Sequence, residues 1–228
     1  MKKLLLILLC LPMIGFGQLT YVPDDNFEQA LIDLGYDSIL DNYVTTSNIN
    51  SITFLDVSNK SILDLTGIEG FANLEVFGCS FNQITYLDVS TNVNLDELYA
   101  PSNPLSNIDV SGAISLVKLT LYDNNLISID LSNNSALTEI YIQNNNLNYL
   151  DISNNPNLTH LWCHNNQLIS LDLRNGNNFD LDNLAIAYNP LLECIDVDNP
   201  AWSTAFWTVA NFTIDPQHYF SDNCSGIT

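Results

Sequence analysis

The chain has 228 residues and a formal net charge of −21, with 26 acidic side chains against 5 basic ones. So acidic a surface repels phosphate backbones and anionic lipid, which argues against nucleic-acid and membrane-surface partners. Its length alone is compatible with one or two domains, but a fixed internal period overrides length and gives one elongated repeat domain.

Residues 1–17, MKKLLLILLCLPMIGFG, read as a secretory signal peptide: two lysines, an apolar run through Ile14, then Gly15-Phe16-Gly17 as a small-x-small cleavage site before Gln18. The apolar run is too short to span a bilayer, and no other stretch could cross one, so no membrane insertion is expected. Cys10 lacks the small residues that a lipidated cysteine needs before it. The expected location is therefore secreted, either extracellular or at the cell surface. Removing the leader leaves Lys60, Lys118 and Arg174 as the only Lys or Arg residues.

Residues 18–51 form an N-terminal cap. Asp25 followed by Glu28 has capping-box spacing, Phe27, Ala30, Leu31 and Leu34 fall on one helical face, and Gly35 suits a helix stop. Such a lid covers the first strand of a solenoid, whose backbone groups would otherwise be offered to another chain.

Residues 52–199 hold seven repeats. The clearest is residues 137–157, LTEIYIQNNNLNYLDISNNPN, with Leu137, Ile140, Ile142, Leu147, Leu150 and Ile152 at positions one, four, six, eleven, fourteen and sixteen, and Asn145 at nine. The frame starts at Leu74, Leu95, Leu116, Leu137, Leu158 and Leu181, in four steps of 21 residues and one of 23, and a looser unit covers 52–73. Alternation over Glu139-Ile140-Tyr141-Ile142-Gln143 predicts a strand in each coil, stacking into one parallel sheet. The second half of each coil, as in Leu150-Asp151-Ile152-Ser153, also alternates, and 21 residues leave little room for a helix on the back. The fold class is thus a mainly β leucine-rich-repeat solenoid with an extended back face and few helices, a gently curved or twisted rod. The ninth-position asparagines, Asn82, Asn103, Asn124, Asn145, Asn166 and Asn189, are expected to pair turn backbone that would otherwise be buried without partners.

Residues 200–228 form a C-terminal cap in which Trp202, Phe206, Trp207, Tyr219 and Phe220 cover the last coil. Cys194 and Cys224 flank it, and in an exported chain a bridge between them would staple it shut. Cys79 and Cys163 fall at the inward sixth position, four coils and ~19 Å apart at ~4.8 Å per strand, beyond disulfide reach.

The frame LxxLxLxxNxLxxLDLSxNxx, seen as LVKLTLYDNNLISIDLSNNSA and LTHLWCHNNQLISLDLRNGNN, resembles the leucine-rich repeats of secreted bacterial proteins of the internalin-like group, as found in the Bacteroidetes. The resemblance spans residues 20–224 and includes the VPDDNFEQALIDLGYDSILDNYVTTSNI cap and the GIEGFANLEVF turn into the regular coils. It implies non-catalytic binding, to protein or to surface glycan, at or outside the cell surface. Relatives often carry a further C-terminal sorting domain, which is not seen before Thr228.

Candidate ligand-binding residues come from the outward positions three, five and seven of the front strands. There Tyr99, Tyr122, Tyr141, His160, Trp162 and His164 gather in coils three to six, with Tyr141 and Trp162 at the centre. Aromatic and imidazole rings give large contact area at low entropy cost, as in binding hot spots, although cross-strand packing alone would also place them there. His160 and His164 are not a metal pair, since four residues of strand span ~13 Å. No phosphate loop, zinc spacing or nucleophile-base pair is present, so no enzyme and no cofactor is expected. The runners-up are a structural or matrix repeat protein and, behind it, a polysaccharide-acting β-solenoid enzyme; a monomer is expected. One column remains, Asp88, Asp109, Asp130, Asp151 and Asp172, whose stacked carboxylates need compensation, either from turn N–H and Ser groups or from calcium held between coils. Thermal melts with calcium and with chelator separate the two: coincident midpoints remove calcium.

Overall fold

The computed structural model describes residues 17–209 and 213–224. The leader through Phe16, Cys10 included, lies outside the described residues. Seven strands of three residues each make the front sheet: Phe54–Asp56, Val76–Gly78, Glu97–Tyr99, Lys118–Thr120, Glu139–Tyr141, His160–Trp162 and Asn183–Ala185. All neighbours are parallel and lie one coil apart, so that Gly78, Tyr99, Thr120, Tyr141, Trp162 and Ala185 pair in succession. In each strand the middle residue points inward, as the alternation requires. The 23-residue step before the last front strand does not disturb this register. Its extra residues form a left-handed Gly176 and a short 3-10 turn, Asn178–Asp180, outside the sheet.

The back face is extended too, and the solenoid winds through about eight turns. Tyr86–Asp88 pairs with Asn107–Asp109, and Tyr149–Asp151, Ser170–Asp172, Cys194–Asp196 and Tyr219–Ser221 form a second parallel ladder. The two are separated at residues 128–131, where a cleft of about 180 Å³ opens beside Ile129, Asp130 and Tyr149. Between front and back, Leu137, Ile140, Ile142, Leu147, Leu150 and Ile152 are wholly buried, and the same positions repeat along the core. Cys79 and Cys163 belong to this core, where burial pushes both thiols up, that of Cys163 to about 12. They act as inert apolar filler.

The ninth-position asparagines stand inside the turns and bridge coils. The Asn145 amide donates to Leu121 O, Ile142 O and Gln143 O, while its Oδ1 accepts from Leu126 N. A second buried column, Asn92, Asn134 and Asn155, donates to carbonyls of the preceding coil on the opposite edge. At the eighth position, after the front strand, each coil carries a residue in the left-handed region: Asn59, Phe81, Ser102, Asp123, Asn144, Asn165 and Tyr188, with φ between 55 and 62°. Asparagine, aspartate and serine tolerate this conformation better than a bulky aromatic does. Phe81 is 57% exposed, so it gains little burial in return. Phe81→Asn is therefore expected to raise stability by about 1 kcal/mol, read from urea or thermal unfolding; a lowered midpoint would show that the ring makes a contact worth more than the strain.

At the N-terminus a helix spans Asp25–Asp33, and three expectations are corrected. The cap is Asp24 rather than Asp25: its carboxylate accepts from Asn26 N and Phe27 N, both at 2.9 Å. Glu28 does not close a capping box. It is fully buried and binds Asp41 N at 2.9 Å and Tyr43 N at 3.1 Å, which folds the returning loop against the helix. Phe27, Ala30 and Leu31 face the core, but Leu34 is the C-cap and is 46% exposed. The short antiparallel pair Leu19–Tyr21 with Tyr43–Thr45 completes the lid.

At the other end the helix Pro200–Phe206 is capped by the Asn199 side chain, and Trp202 and Trp207 meet edge to face at 5.5 Å. Trp207 then meets Phe220, and Cys194 is joined to Cys224 with their Cα atoms 5.7 Å apart. The tail is more than a cover, because Tyr219–Ser221 continues the back ladder.

Candidate functional site

The parallel register puts Tyr99, Tyr141 and Trp162 on the same face of the front sheet, in one column broken by Thr120. Tyr122, His160 and His164 stand in the columns to either side. None of the six is fully exposed; each is half-buried by its neighbours. Tyr141 and Trp162 meet edge to face at 5.2 Å, and Trp162 and His164 are 6.2 Å apart. Such ring pairs are favourable beyond the area they bury. So the rings form a pre-assembled surface rather than a row of free side chains.

The polar ends of these rings are tied within the face. Lys118 pairs with Glu139 at 2.9 Å and lies 5.8 and 5.5 Å from the Tyr99 and Tyr141 ring centres, a cation held between two aromatic faces. Tyr141 Oη donates to Glu139 and Tyr99 Oη to Glu97. The Trp162 Nε1–H donates to Asn183 Oδ1 at 3.0 Å, and His160 Nδ1 shares a 2.8 Å hydrogen bond with Thr159 Oγ1. Burial, and then the Glu97 and Glu139 carboxylates, raise the Tyr99 and Tyr141 phenols, which stay protonated. The hydrogen bond from Lys118 holds Glu139 below the usual carboxylate range. A carboxyl ionised in this way is poorly suited to act as a general acid near neutral pH.

The sequence reading missed Lys118 and Asn183 as organisers of this face, and also the cleft beyond Trp162. Lined by Trp162, His164, Asn183, Leu184, Ala185, Ala187 and Tyr188, that cleft has a volume of about 310 Å³. The signal for it was present: the outward columns drop from aromatic and imidazole rings to Ala185 and Ala187.

On the back face, Asp88, Asp109, Asp130 and Asp151 each accept a hydrogen bond from the N–H of the serine two residues on, at 2.8 to 2.9 Å. The hydroxyl and N–H of Ser111 and Ser132 hold Asp109 and Asp130 below the ordinary carboxylate range. Burial opposes ionisation of Asp172, but hydrogen bonds and charge from Arg174 outweigh it. Arg174 reaches Asp196 as well, at 3.7 Å, which places one cation between the last two carboxylates of the column. Among the described residues no group of three or more His, Cys, Asp or Glu side chains gathers in a way that could hold a metal ion.

With this geometry in place, the chain can be set beside known proteins. No protein-family model matches it. Over 72 residues, 32% of this chain, it is 37% identical to internalin J of Listeria monocytogenes serotype 4b (strain F2365), and the match covers 8% of that protein. The solved functional domain of InlJ from Listeria monocytogenes, described as including a cysteine ladder, superposes with a TM-score of 0.67 at 28% identity, over 92% of this chain and 48% of that one. The chain shares the parallel-sheet leucine-rich-repeat solenoid fold of that domain. Two further internalins of Listeria monocytogenes strain 4b F2365 share the fold: InlF, with a TM-score of 0.60 at 23% identity over 88% of this chain and 56% of that one, and InlC2, with 0.59 at 21% over 91% and 90%. The chain thus spans about half the length of the InlJ domain it matches. Its described free cysteines, Cys79 and Cys163, are four coils apart, with Ala100, Leu121 and Ile142 at the inward positions between them. Among the described residues no contiguous column of sulfur forms. Among the described residues no helix is long and apolar enough to cross a membrane.

Proposed function

We propose that this internalin-like chain is an exported, non-catalytic module that binds a protein partner through the aromatic column of its front sheet. The observation that carries the reading is the Tyr99, Tyr141 and Trp162 column, with rings already packed and hydroxyl, indole and ammonium groups already paired. Side chains fixed before a partner arrives lose little entropy on association, and aromatic clusters of this kind dominate binding energy. The leader sequence and the Cys194–Cys224 bridge both suit an oxidising compartment outside the cytoplasm. Similarity to internalins supports a protein-interaction module, and the ionised, lysine-paired Glu139 speaks against a glycan-cleaving enzyme.

The test is Tyr141→Ala together with Trp162→Ala in the full mature chain, read by partner capture from native surface extract and by thermal melting in parallel. Lost capture, with the midpoint lowered only by the few degrees that one ring pair accounts for, supports the binding face. A large loss of stability with capture retained on the folded fraction would mean that the rings serve packing, as in a matrix protein. In the same chain the back column is assigned to Asp–Ser turns rather than to calcium, and melts that diverge between calcium and chelator would reverse that assignment.

A further inference from the structure

The front sheet changes character at its C-terminal end. Its fifth-position column runs Tyr141, Trp162 and then Ala185, and its seventh-position column runs Gln143, His164 and then Ala187. The loss of side-chain bulk opens the cleft of about 310 Å³, with Trp162 and His164 on one side, Ala185 and Ala187 below and Tyr188 beyond. That volume lies at the small end of ligand sites.

Tyr188 is not explained by folding. It occupies the left-handed position that other coils give to Asn59, Ser102, Asp123, Asn144 and Asn165, and it is 62% exposed. A bulky residue in that conformation is strained, and it buries too little to offset the strain. Its backbone is nonetheless fixed, since the Asp215 carboxylate accepts from Tyr188 N and Asn189 N, both at 2.9 Å. Phe81 shares the conformation but lies outside the lining of the cleft at its own end of the sheet, which includes Gly78, Ser80 and Tyr99.

The lining of the cleft carries no carboxylate, lysine or arginine, in a chain of net charge −21. Burial lowers the His164 pKa, so its ring is neutral at pH 7. Asn183 uses Oδ1 for the Trp162 indole, which leaves its amide N–H groups to donate. An anion would meet the repulsion of the whole chain, and a cation would find no carboxylate in the lining. Two aromatic walls, an alanine floor, a neutral imidazole and a carboxamide suit a ring that is apolar on its faces and hydroxylated at its edge.

We propose that this cleft is a subsite for a neutral hexopyranose unit of a glycan, held between Trp162 and Tyr188 with its hydroxyls on Asn183 and His164. It shares Trp162 with the protein-binding column but does not depend on that reading. The full mature chain is applied to immobilised neutral hexose oligosaccharides, with sialylated and sulfated glycans as the anionic arm and free methyl hexosides as competitors. Retention is expected on the neutral set and is competed by the free sugar. Tyr188→Asn is expected to weaken retention about tenfold, as one aromatic face is lost, while its unfolding midpoint rises because the strain is relieved. Ala185→Tyr, which refills the cleft with the side chain found two coils earlier, is expected to abolish retention. No retention of neutral glycans, retention confined to anionic ones, or undiminished retention in both folded variants would overturn the proposal. Sugar retention in Tyr188→Asn and protein capture in Tyr141→Ala are read separately, so either proposal can fail without the other.

Discussion

Replacing Asn145 with alanine is expected to lower stability by about 3 kcal/mol, as much as truncating a core leucine. The reason is the number of backbone groups that one carboxamide satisfies. Its Nδ2 donates to Leu121 O at 2.9 Å, Ile142 O at 3.1 Å and Gln143 O at 3.3 Å, and its Oδ1 accepts from Leu126 N at 3.0 Å. Some of these carbonyls have a second partner, as Ile142 O does in the Asn166 amide, but Leu126 N would be left buried and unpaired. An orphaned buried donor costs about 1–3 kcal/mol, and each weakened acceptor adds to it. Asn145→Asp keeps the shape and the acceptor but loses the donors and buries a charge, so it is expected to destabilise at least as much. Because Asn145 lies mid-solenoid and joins its own turn to the preceding coil, the damage should split the array into halves that unfold separately, visible as a broadened or two-step urea transition. A change below 1 kcal/mol with one sharp transition would show that the turn satisfies its backbone without this side chain.

That ninth-position column was legible in the sequence because a polar residue repeating at a fixed place among leucines has no other simple explanation. The second column was not. Asn92, Asn134 and Asn155 recur in the same frame, but an asparagine after Asp-x-Ser reads as an ordinary turn former, and only burial shows that it points inward. The helix cap slipped by one residue because Asp24 and Asp25 are adjacent and either could begin it; the choice is made by Glu28, which leaves the helix end to hold Asp41 N and Tyr43 N. Strands of three residues such as Leu19–Tyr21 are shorter than any alternation that can be counted. At the candidate site, alternation and period place Tyr99, Tyr141 and Trp162 together, as parallel register does in the structure. What they cannot give is the lateral pairing of Lys118 with Glu139 between two rings, which depends on a neighbour 21 residues away; the step from Trp162 to Ala185 stands in the fifth-position column, but only the structure shows that a cleft opens there.

Reducing the Cys194–Cys224 bridge is expected to remove about 3–4 kcal/mol from the C-terminal turn, the chain-entropy value for a closed loop of 30 residues, and to leave the central coils folded. The bridge keeps the strand Tyr219–Ser221 on Cys194–Asp196, an edge that also depends on Cys224 N donating to Asp196 and on Arg174 donating to Asp222 O. Without it, those few contacts and the Trp207–Phe220 ring pair must hold the strand alone. Trp202 and Trp207 lie in this turn, so its release should appear as a fluorescence change at a denaturant concentration where the far-ultraviolet strand signal is intact. Cys194→Ser with Cys224→Ser should reproduce the effect without reductant, and a single unshifted transition in both preparations would mean that the turn is held by its packing. The same experiment reaches the cleft. Asp215, which fixes Tyr188 and Asn189 through their backbone N–H groups, belongs to the segment that the bridge encloses. Loosening that segment frees Tyr188 from its strained conformation, so the reduced chain should lose neutral-sugar retention before it loses protein capture through Tyr141.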